Sequence, residues 1–294
     1  MSHGAAAGLL AFCALLWSSA GVVTRRLESA EGFEVTFWRS LFCVIGVGLA
    51  LAWQARGRFW RPVVAMGPVG LASGLMWAAM FTGYMLALTR TSTANTLLVL
   101  SLAPFLTALL SWAVLRERVR AGTWAAIVAA GAGMAWMVRD GVSAQGLSGM
   151  AIALMVPVAS AINIVMLKRV RASVDLAPAV LLGAVLSCLI TLPAAWPLSA
   201  SLHDIALLAG LGFLQLALPC MLMVRAARVL APHEVALIAL LEVVLGPIWS
   251  WLGAGEAMTP ATIQGGLVVL AALVGNELLQ ARAGGGAGRA AVRP

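Results

Sequence analysis

Two ionisable side chains stand inside long apolar stretches of the sequence, where a charge could act on a bound molecule. Glu242 lies in the first half of an apolar run over 234–253, and Arg39 is the only basic residue well inside such a run. A charge in apolar surroundings costs roughly 3 kcal/mol or more, so both residues are functional candidates. Other interpretations stay open: Glu242 caps a helix bend or bonds a neighbouring helix, and Arg39 extends towards the surface or holds the fold.

Aromatic side chains recur at helical spacing in the stretch from 63 to 88. Trp77, Phe81 and Tyr84 stand at positions i, i+4 and i+7 on one face of a helix, and Tyr84 is the only tyrosine in the chain. Trp17 also falls in the middle of a run, whereas most tryptophans lie near the ends of apolar runs. These side chains offer a wall for an amphipathic substrate, and a lipid-facing or core stripe is the alternative.

Uncharged polar side chains and prolines complete the candidate set. Amide and hydroxyl groups in apolar surroundings must find partners, so they either hold the charged end of a substrate or join helices. Prolines inside a helix remove a backbone hydrogen bond and kink the helix, which makes them gating candidates together with Arg39. The polar candidates are Asn95, Ser101, Ser160, Asn163 and Gln215, and the prolines are Pro104, Pro157, Pro219 and Pro247.

The sequence offers little support for an enzyme or a cofactor. It has no HExxH, GxSxG or GxxxxGK[ST] motif, and His3, His203 and His233 lie at or beyond the ends of apolar runs. The four cysteines lie inside apolar runs without metal-binding spacing, as small packing residues do. The net charge of +8 is spread over short loops, which argues against a nucleic-acid partner. We therefore expect no catalytic residue, no metal and no cofactor.

The composition places these residues in a membrane. Of the 294 residues, 62% are hydrophobic and 10% are charged, whereas globular domains carry about 25% charged residues. Apolar runs of ~20 residues, enough to cross a hydrocarbon core ~30 Å thick, follow one another along the chain. The sequence predicts ten spans, at 4–24, 33–54, 63–88, 94–115, 121–138, 147–167, 176–196, 203–224, 234–253 and 260–281.

The basic residues indicate how these spans are oriented. With ten spans the loops and termini form two alternating sets, and cytoplasmic loops carry the excess of lysine and arginine. One set holds fourteen basic residues and the other holds four. The richer set includes both termini, which we therefore expect in the cytoplasm. The poorer set is Arg25, Arg26, Arg90 and Arg139.

The two halves of the chain carry a weak internal repeat. At an offset of 139 residues, "LRERVRAGTW" falls on "AGEAMTPATI", so that Glu117 aligns with Glu256 and Thr123 with Thr262. The acid remains while the arginines disappear. A repeat of five spans crosses the membrane an odd number of times, so its second copy is upside down and its loop is no longer cytoplasmic. We therefore predict two inverted five-helix repeats, over 1–146 and 147–283, with a disordered cytoplasmic tail over 284–294.

Longer motifs carry a resemblance to a known family. "TSTANTLLVLSLAPFLTALLSWAVLRERV", its weaker copy "ALIALLEVVLGPIWSWLGAGEAMT", the opening "LLWSSAGVVTRRL" and "FWRSLF" resemble the ten-helix EamA type of the drug/metabolite transporter (DMT) superfamily. Within it, the chain is most similar to bacterial YddG-type exporters of aromatic amino acids, which implies a location in a bacterial inner membrane. The resemblance implies a cavity lined by spans 1, 3, 4, 6, 8 and 9, with spans 5 and 10 behind it. One departure is that Pro247 comes one turn later than Pro104, so we expect the two copies to bend at different depths.

These observations together predict an all-α integral membrane protein with ten transmembrane helices around a central cavity. The expected function is secondary transport by alternating access, with export of small amphipathic metabolites. Amino acids with aromatic or other apolar side chains are the favoured substrates, related drug-like compounds are further ones, and the proton is a candidate coupling ion. The alternatives are an intramembrane enzyme, a structural membrane protein, or a transporter of cations, vitamins or nucleotide precursors.

Overall fold

A computed structural model describes residues 1–24, 26–30, 32–56, 60–91, 93–139, 147–170, 175–254 and 259–290. In these ranges the chain is entirely helical and has no strand. Eight of the described helices are long and apolar enough to cross a membrane, and two shorter apolar helices, Ala121–Met137 and Pro260–Asn276, join them. The ten helices fall on the ten predicted spans. The protein is an all-α membrane protein.

The ten helices are numbered here in chain order. Six are continuous along their length, two (α1 and α8) change geometry within a single span, and two (α4 and α9) are divided into segments. The bounds are α1 His3–Thr24, α2 Gly32–Gln54, α3 Gly67–Arg90, α4 Thr93–Leu100 with Ala103–Leu110 and the π-helical turn Ser111–Leu115, α5 Ala121–Val138, α6 Leu147–Val170, α7 Ala177–Ala195, α8 Leu202–Ala226, α9 Pro232–Ala239 with Leu241–Ala254, and α10 Pro260–Ala290.

The last helix continues to Ala290, past the predicted start of the tail at residue 284. The predicted domain boundaries and the disorder of the tail stay predictions. A short helix, Trp60–Ala65, precedes α3 and is separated from it at Met66. Gly67 has φ +58°, a conformation that side chains disfavour, and so α3 begins four residues later than the predicted span.

Helices α4 and α9 are both broken, and the breaks are equivalent. The break in α4 lies at Ser101–Leu102, and the break in α9 lies at Leu240, which is 139 residues after Ser101. In α4 the cause is local, because Pro104 stands in the first turn of the second segment. In α9, Leu240 and Val243 make i→i−3 hydrogen bonds instead, while Pro247 lies inside the continuous segment Leu241–Ala254. The expectation that the two copies bend at different depths is therefore wrong.

Helix packing follows the same rule in both halves. Helix α3 packs against α6 and α7, and its counterpart α8 packs against α1 and α2. Helix α4 packs against α6, and its counterpart α9 packs against α1. The remaining large contacts pair each helix with its own counterpart: α2 with α7, α4 with α9, and α5 with α10. Exchanging helix n for helix n+5 thus leaves this set of pairs unchanged.

Glycines close the crossing of α3 with α7. A Cβ on Gly183 would collide with the Cβ of Trp77 and would lie 3.0 Å from the carbonyl oxygen of Gly74. A Cβ on Gly74 would in turn lie 2.6 Å from the side chain of Leu182. Small residues at such a crossing let the two backbones approach closely in a lipid environment.

The equivalent crossing of α2 with α8 is closed in the same way. A Cβ on Gly212 would collide with the Cβ of Phe42, and one on Gly46 would lie 2.8 Å from the ring of Phe213. Between the two crossings, the hydroxyl of Ser187 on α7 lies 3.1 Å from the hydroxyls of both Ser40 and Thr82. These four helices, two from each half, form a tightly packed framework.

On one membrane surface, two carboxylates tie the loop between α1 and α2 to the loop between α7 and α8. Asp204 accepts hydrogen bonds of 2.9 Å from the backbone N–H groups of Glu28, Ser29 and Ala30. Glu34 accepts backbone hydrogen bonds of 2.8 Å from the other loop, at Ser199 and Ala200. We call this pair, Glu34 and Asp204, the loop clamp, and we call the side on which it lies the first surface.

The second surface is held by different contacts. The ammonium of Lys168 donates hydrogen bonds of 3.3 Å to the carbonyl of Val229 and of 2.8 Å to that of Leu230, which joins α6 to the loop between α8 and α9. Glu234 lies 3.2 Å from the imidazole of His3 near the start of α1. Glu117 accepts a hydrogen bond of 3.3 Å from Ser111, a local contact at the end of α4, while its aligned partner Glu256 lies outside the described residues.

Candidate functional site

A cavity of about 870 Å³ lies between the two halves. Helices α1, α3, α4, α6, α8 and α9 contribute to its wall as expected, and α2 and the start of α10 also contribute. The cavity reaches the first surface, where its wall includes Thr24, Leu27 and the exposed Thr259. At the other end it is closed by Leu10 and Ile164, of which at most 2% is exposed. The described wall thus reaches the first surface, and the side chains at its other end are buried.

An aromatic face runs along one side of the cavity. Trp77, Phe81 and Tyr84 of α3 line it together, and Trp17 of α1 joins them. The rings of Trp77 and Phe81 lie 5.5 Å apart, centroid to centroid, in a tilted arrangement. The indole N–H of Trp77 is buried and has no hydrogen-bond partner. The wall thus offers stacking surface and one free donor.

Two opposite charges reach the same cavity. Arg39 of α2 is 5% exposed, lines the cavity, and has a buried Nε–H without a hydrogen-bond partner. Its side chain is buried and does not extend to the surface. Glu242 lines the cavity from the first turn of the second segment of α9. A negative charge at this position is stabilised by the helix dipole. Tyr84 lines the cavity together with both of them.

Gln215 and Ser160 are the predicted uncharged polar residues that line the cavity. The side-chain N–H of Gln215 donates a hydrogen bond of 3.2 Å to the carbonyl of Trp17, which joins α8 to α1. The amide oxygen of Gln215 is buried without a partner. Ser160 is partly buried and faces the cavity from α6. Gln215 is thus both an interhelical link and a free acceptor.

Asn163 and Ser101 were expected in the cavity wall, but the structure places them elsewhere. Asn163 is 0% exposed, and its side-chain oxygen accepts a hydrogen bond of 2.6 Å from Ser73, so it joins α6 to α3. Ser101 donates a hydrogen bond of 2.6 Å to the carbonyl of Leu98 within α4, which satisfies its hydroxyl at the helix break. The side chain of Asn95 lies outside the described residues.

The four predicted prolines differ in position. Pro157 is buried inside α6 and lines the cavity. Pro104 starts the second segment of α4, and Pro219 stands in the first helical turn after the π-helical stretch Leu211–Ala217 of α8. The described cavity wall includes neither of these two. The backbone of Pro247 lies within the second segment of α9, and its side chain lies outside the described part.

Several wall residues escaped the sequence analysis. Ser18 lines the cavity and accepts a hydrogen bond of 2.8 Å from the indole of Trp249, a residue expected only at the membrane interface. The sequence feature that could have indicated Ser18 is its position next to Trp17 within an apolar run. Met80 and Met223 also line the cavity, and their flexible side chains can adapt to different apolar ligands. Nothing in their spacing separates them from ordinary core residues.

Comparison with known protein families finds a match for both halves of the chain. The sequence profile of the EamA-like transporter family matches residues 5–139 and matches again over residues 147–276. The chain belongs to the EamA-like transporter family. Its two matches cover both halves of the helix packing described above.

The fold of this EamA-like transporter is also found among solved structures. One crystal structure, described only as that of a protein, superposes with a TM-score of 0.79 at 20% sequence identity and covers 95% of this chain and 99% of its own. No curated protein matches the chain significantly in sequence. Among the described residues, no group of three or more His, Cys, Asp or Glu side chains could hold a metal ion.

Proposed function

We propose that the protein is a secondary transporter that exports small amphipathic metabolites by alternating access, chiefly aromatic and other apolar amino acids together with related drug-like compounds. The observation that carries the proposal is the cavity, whose aromatic face stands beside a few polar groups with unpaired atoms. Burying a large apolar side chain in such a cavity gains roughly 1.5–3 kcal/mol. Oriented polar groups then select the head of the ligand.

The arrangement of the helices supports alternating access. Five helices in each half cross the membrane an odd number of times, so we propose that the halves are inverted repeats. Three observations support this. The set of packed helix pairs stays the same when each helix is replaced by its counterpart in the other half, the basic residues divide fourteen to four between the two sides, and one family matches both halves. The equivalent breaks in α4 and α9 are the proposed hinges, because broken backbone hydrogen bonds absorb a change of angle at little cost.

The same charge distribution supports an orientation. We propose that both termini are cytoplasmic, that the first surface faces the outside, and that the protein lies in a bacterial inner membrane. In this orientation the described cavity wall reaches the outer surface. The proposed coupling ion is the proton, with Glu242 as its carrier, because this carboxyl reaches the cavity and has no ion-pair partner among the described residues.

Transport by the purified protein in sealed liposomes tests the proposal. Labelled phenylalanine should accumulate or exchange in protein-containing vesicles and not in protein-free ones, and unlabelled phenylalanine or leucine should compete more strongly than threonine. In cells, overproduction should lower internal phenylalanine and raise it in the medium. An enzyme would convert the label chemically, and a structural protein would leave it outside. Either result would refute the proposed function.

A further inference from the structure

Arg39 and Glu242 present opposite charges to one cavity without pairing with each other. The guanidinium lies on α2 and the carboxyl on α9. Neither forms a salt bridge within the described ranges of the chain. Isolated charges taken out of water are costly, and their cost falls only when an opposite charge or strong hydrogen bonds arrive. A bound group of opposite charge would lower this cost at each of the two side chains.

Three residues of the cavity wall carry hydrogen-bonding atoms whose type suits one or the other charged group of a zwitterion. The Nε–H of Arg39 and the indole N–H of Trp77 are donors, and the amide oxygen of Gln215 is an acceptor. All three atoms are buried without a hydrogen-bond partner on residues that line the cavity. The donors suit a carboxylate, and the acceptor suits an ammonium group together with Glu242. Tyr84 lines the same cavity, and its hydroxyl can donate to a carboxylate or accept from an amine.

The aromatic face supplies the third element. Trp77 and Phe81 line the same cavity and stack against one another. A ligand whose charged head lies between Arg39 and Glu242 can therefore place an apolar side chain against these rings. A cation alone would leave Arg39 unpaired, and an anion alone would leave Glu242 unpaired. Only a ligand that carries both charges gives Arg39 and Glu242 a partner each.

We propose that the cavity recognises its substrate as a zwitterion, with the ligand carboxylate at Arg39 and the ligand ammonium at Glu242, and that it rejects amines and carboxylates of the same size. This assignment rests on the proposed transport of amino acids and specifies which residues read the two charges. It assigns the charged head to these two side chains and not to Asn163, whose side-chain oxygen accepts from Ser73. Truncating one partner of a buried charge pair is costly, so each lost charge on the ligand should weaken binding by about thirtyfold.

Competition binding to the intact purified protein tests the proposal. Labelled phenylalanine is displaced by unlabelled phenylalanine, by phenethylamine, which lacks the carboxylate, and by 3-phenylpropionate, which lacks the ammonium group. The two single-charge compounds should compete about thirtyfold more weakly than phenylalanine. Equal competition by all three compounds would overturn the zwitterion site while leaving amino-acid transport intact. Absence of any phenylalanine binding would instead refute the proposed substrate class, and the zwitterion site with it.

Two variants assign the charges to their residues. In Glu242→Gln, 3-phenylpropionate should gain on phenylalanine by about tenfold, and in Arg39→Gln, phenethylamine should do so. These ratios are measured within one variant, so they do not depend on the fraction of folded protein. Arg228→Gln, which removes an exposed charge paired with Asp175 at 2.7 Å, is the matched control and should leave the ratios unchanged. Unchanged ratios in both cavity variants, or the same shift in the control, would contradict the assignment. Should one variant not fold, the three-ligand competition with the unaltered protein still decides.

Discussion

The two halves of this transporter share a framework but differ in what they offer the cavity. Both halves close a helix crossing with glycines and break a helix at the same place in the repeat. The walls are unlike: the first half contributes the aromatic face and Arg39, and the second half contributes Gln215 and Glu242. Packing geometry has been kept in both copies, whereas the chemistry of binding has been divided between them. A ligand that uses the whole wall must therefore contact both halves.

The largest effect should come from breaking the framework. Gly212→Ala places a Cβ against the Cβ of Phe42 and 2.8 Å from the backbone oxygen of Arg39, so α2 and α8 must separate. We expect a loss of about 2–3 kcal/mol in stability. Gly210→Ala is the control on the same helix, because nothing lies within 4 Å of its new Cβ. It should be neutral or slightly stabilising by helix propensity. Thermal unfolding in detergent compares the two, and equal stability would show that the crossing is not tightly packed.

The aromatic wall should give a smaller and substrate-dependent effect. Trp77→Ala removes stacking and apolar surface, so uptake of phenylalanine into liposomes should fall by about tenfold or more. Uptake of threonine, which uses the wall less, should fall by threefold or less on the same reasoning. Both rates are normalised to folded protein. An equal loss for the two amino acids would assign Trp77 to packing alone.

Glu242 allows a test of the proposed coupling. Glu242→Gln keeps the size of the side chain but can no longer gain or lose a proton. Transport by the parent protein should vary with pH, and transport by the variant should be weaker and independent of pH. Arg39 and Tyr84 also face this cavity, so Tyr84→Phe serves as the comparison and should keep the pH dependence. A pH profile unchanged in Glu242→Gln would remove the residue from coupling.

The smallest effect concerns the two surfaces, since each variant changes a single exposed side chain at the end of a helix. A single cysteine replacing the exposed Thr259 at the first surface should react with an impermeant thiol reagent added to intact cells. One replacing the exposed Gln54 at the other end of α2 should be protected until the cells are opened. Both are made in a chain without its native cysteines. The opposite pattern of labelling would reverse the proposed orientation.

Sequence patterns predicted the helices well because the membrane fixes their length and composition. The predicted span 121–138 coincides with Ala121–Val138, and the start of α3 was missed because Gly67 allows a turn that hydropathy does not reveal. Helical spacing also brought Trp77, Phe81 and Tyr84 together, since the face of one helix is a local property.

Positions that depend on contacts between helices were predicted less well. Asn163 faces Ser73, which stands 90 residues earlier, so its spacing held no sign of that partner. For Arg39 the sequence left open an extension towards the surface, and the structure shows the side chain buried. The break at Leu240 has no proline to mark it. Each of these features depends either on a contact with another helix or on a backbone geometry that leaves no mark in the sequence.

The loop clamp has a consequence for how the protein is made. Asp204 is synthesised 174 residues after Ala30, whose N–H it accepts, and Ser199 follows its partner Glu34 by 165 residues. A nascent chain that has released only the first five helices still lacks the partners for this loop. The first half is a complete copy of the repeat. Its loop between α1 and α2 nevertheless cannot form these hydrogen bonds before the eighth helix has inserted. Maturation of that surface is therefore one of the last steps of biogenesis, and a truncated chain would stop short of it.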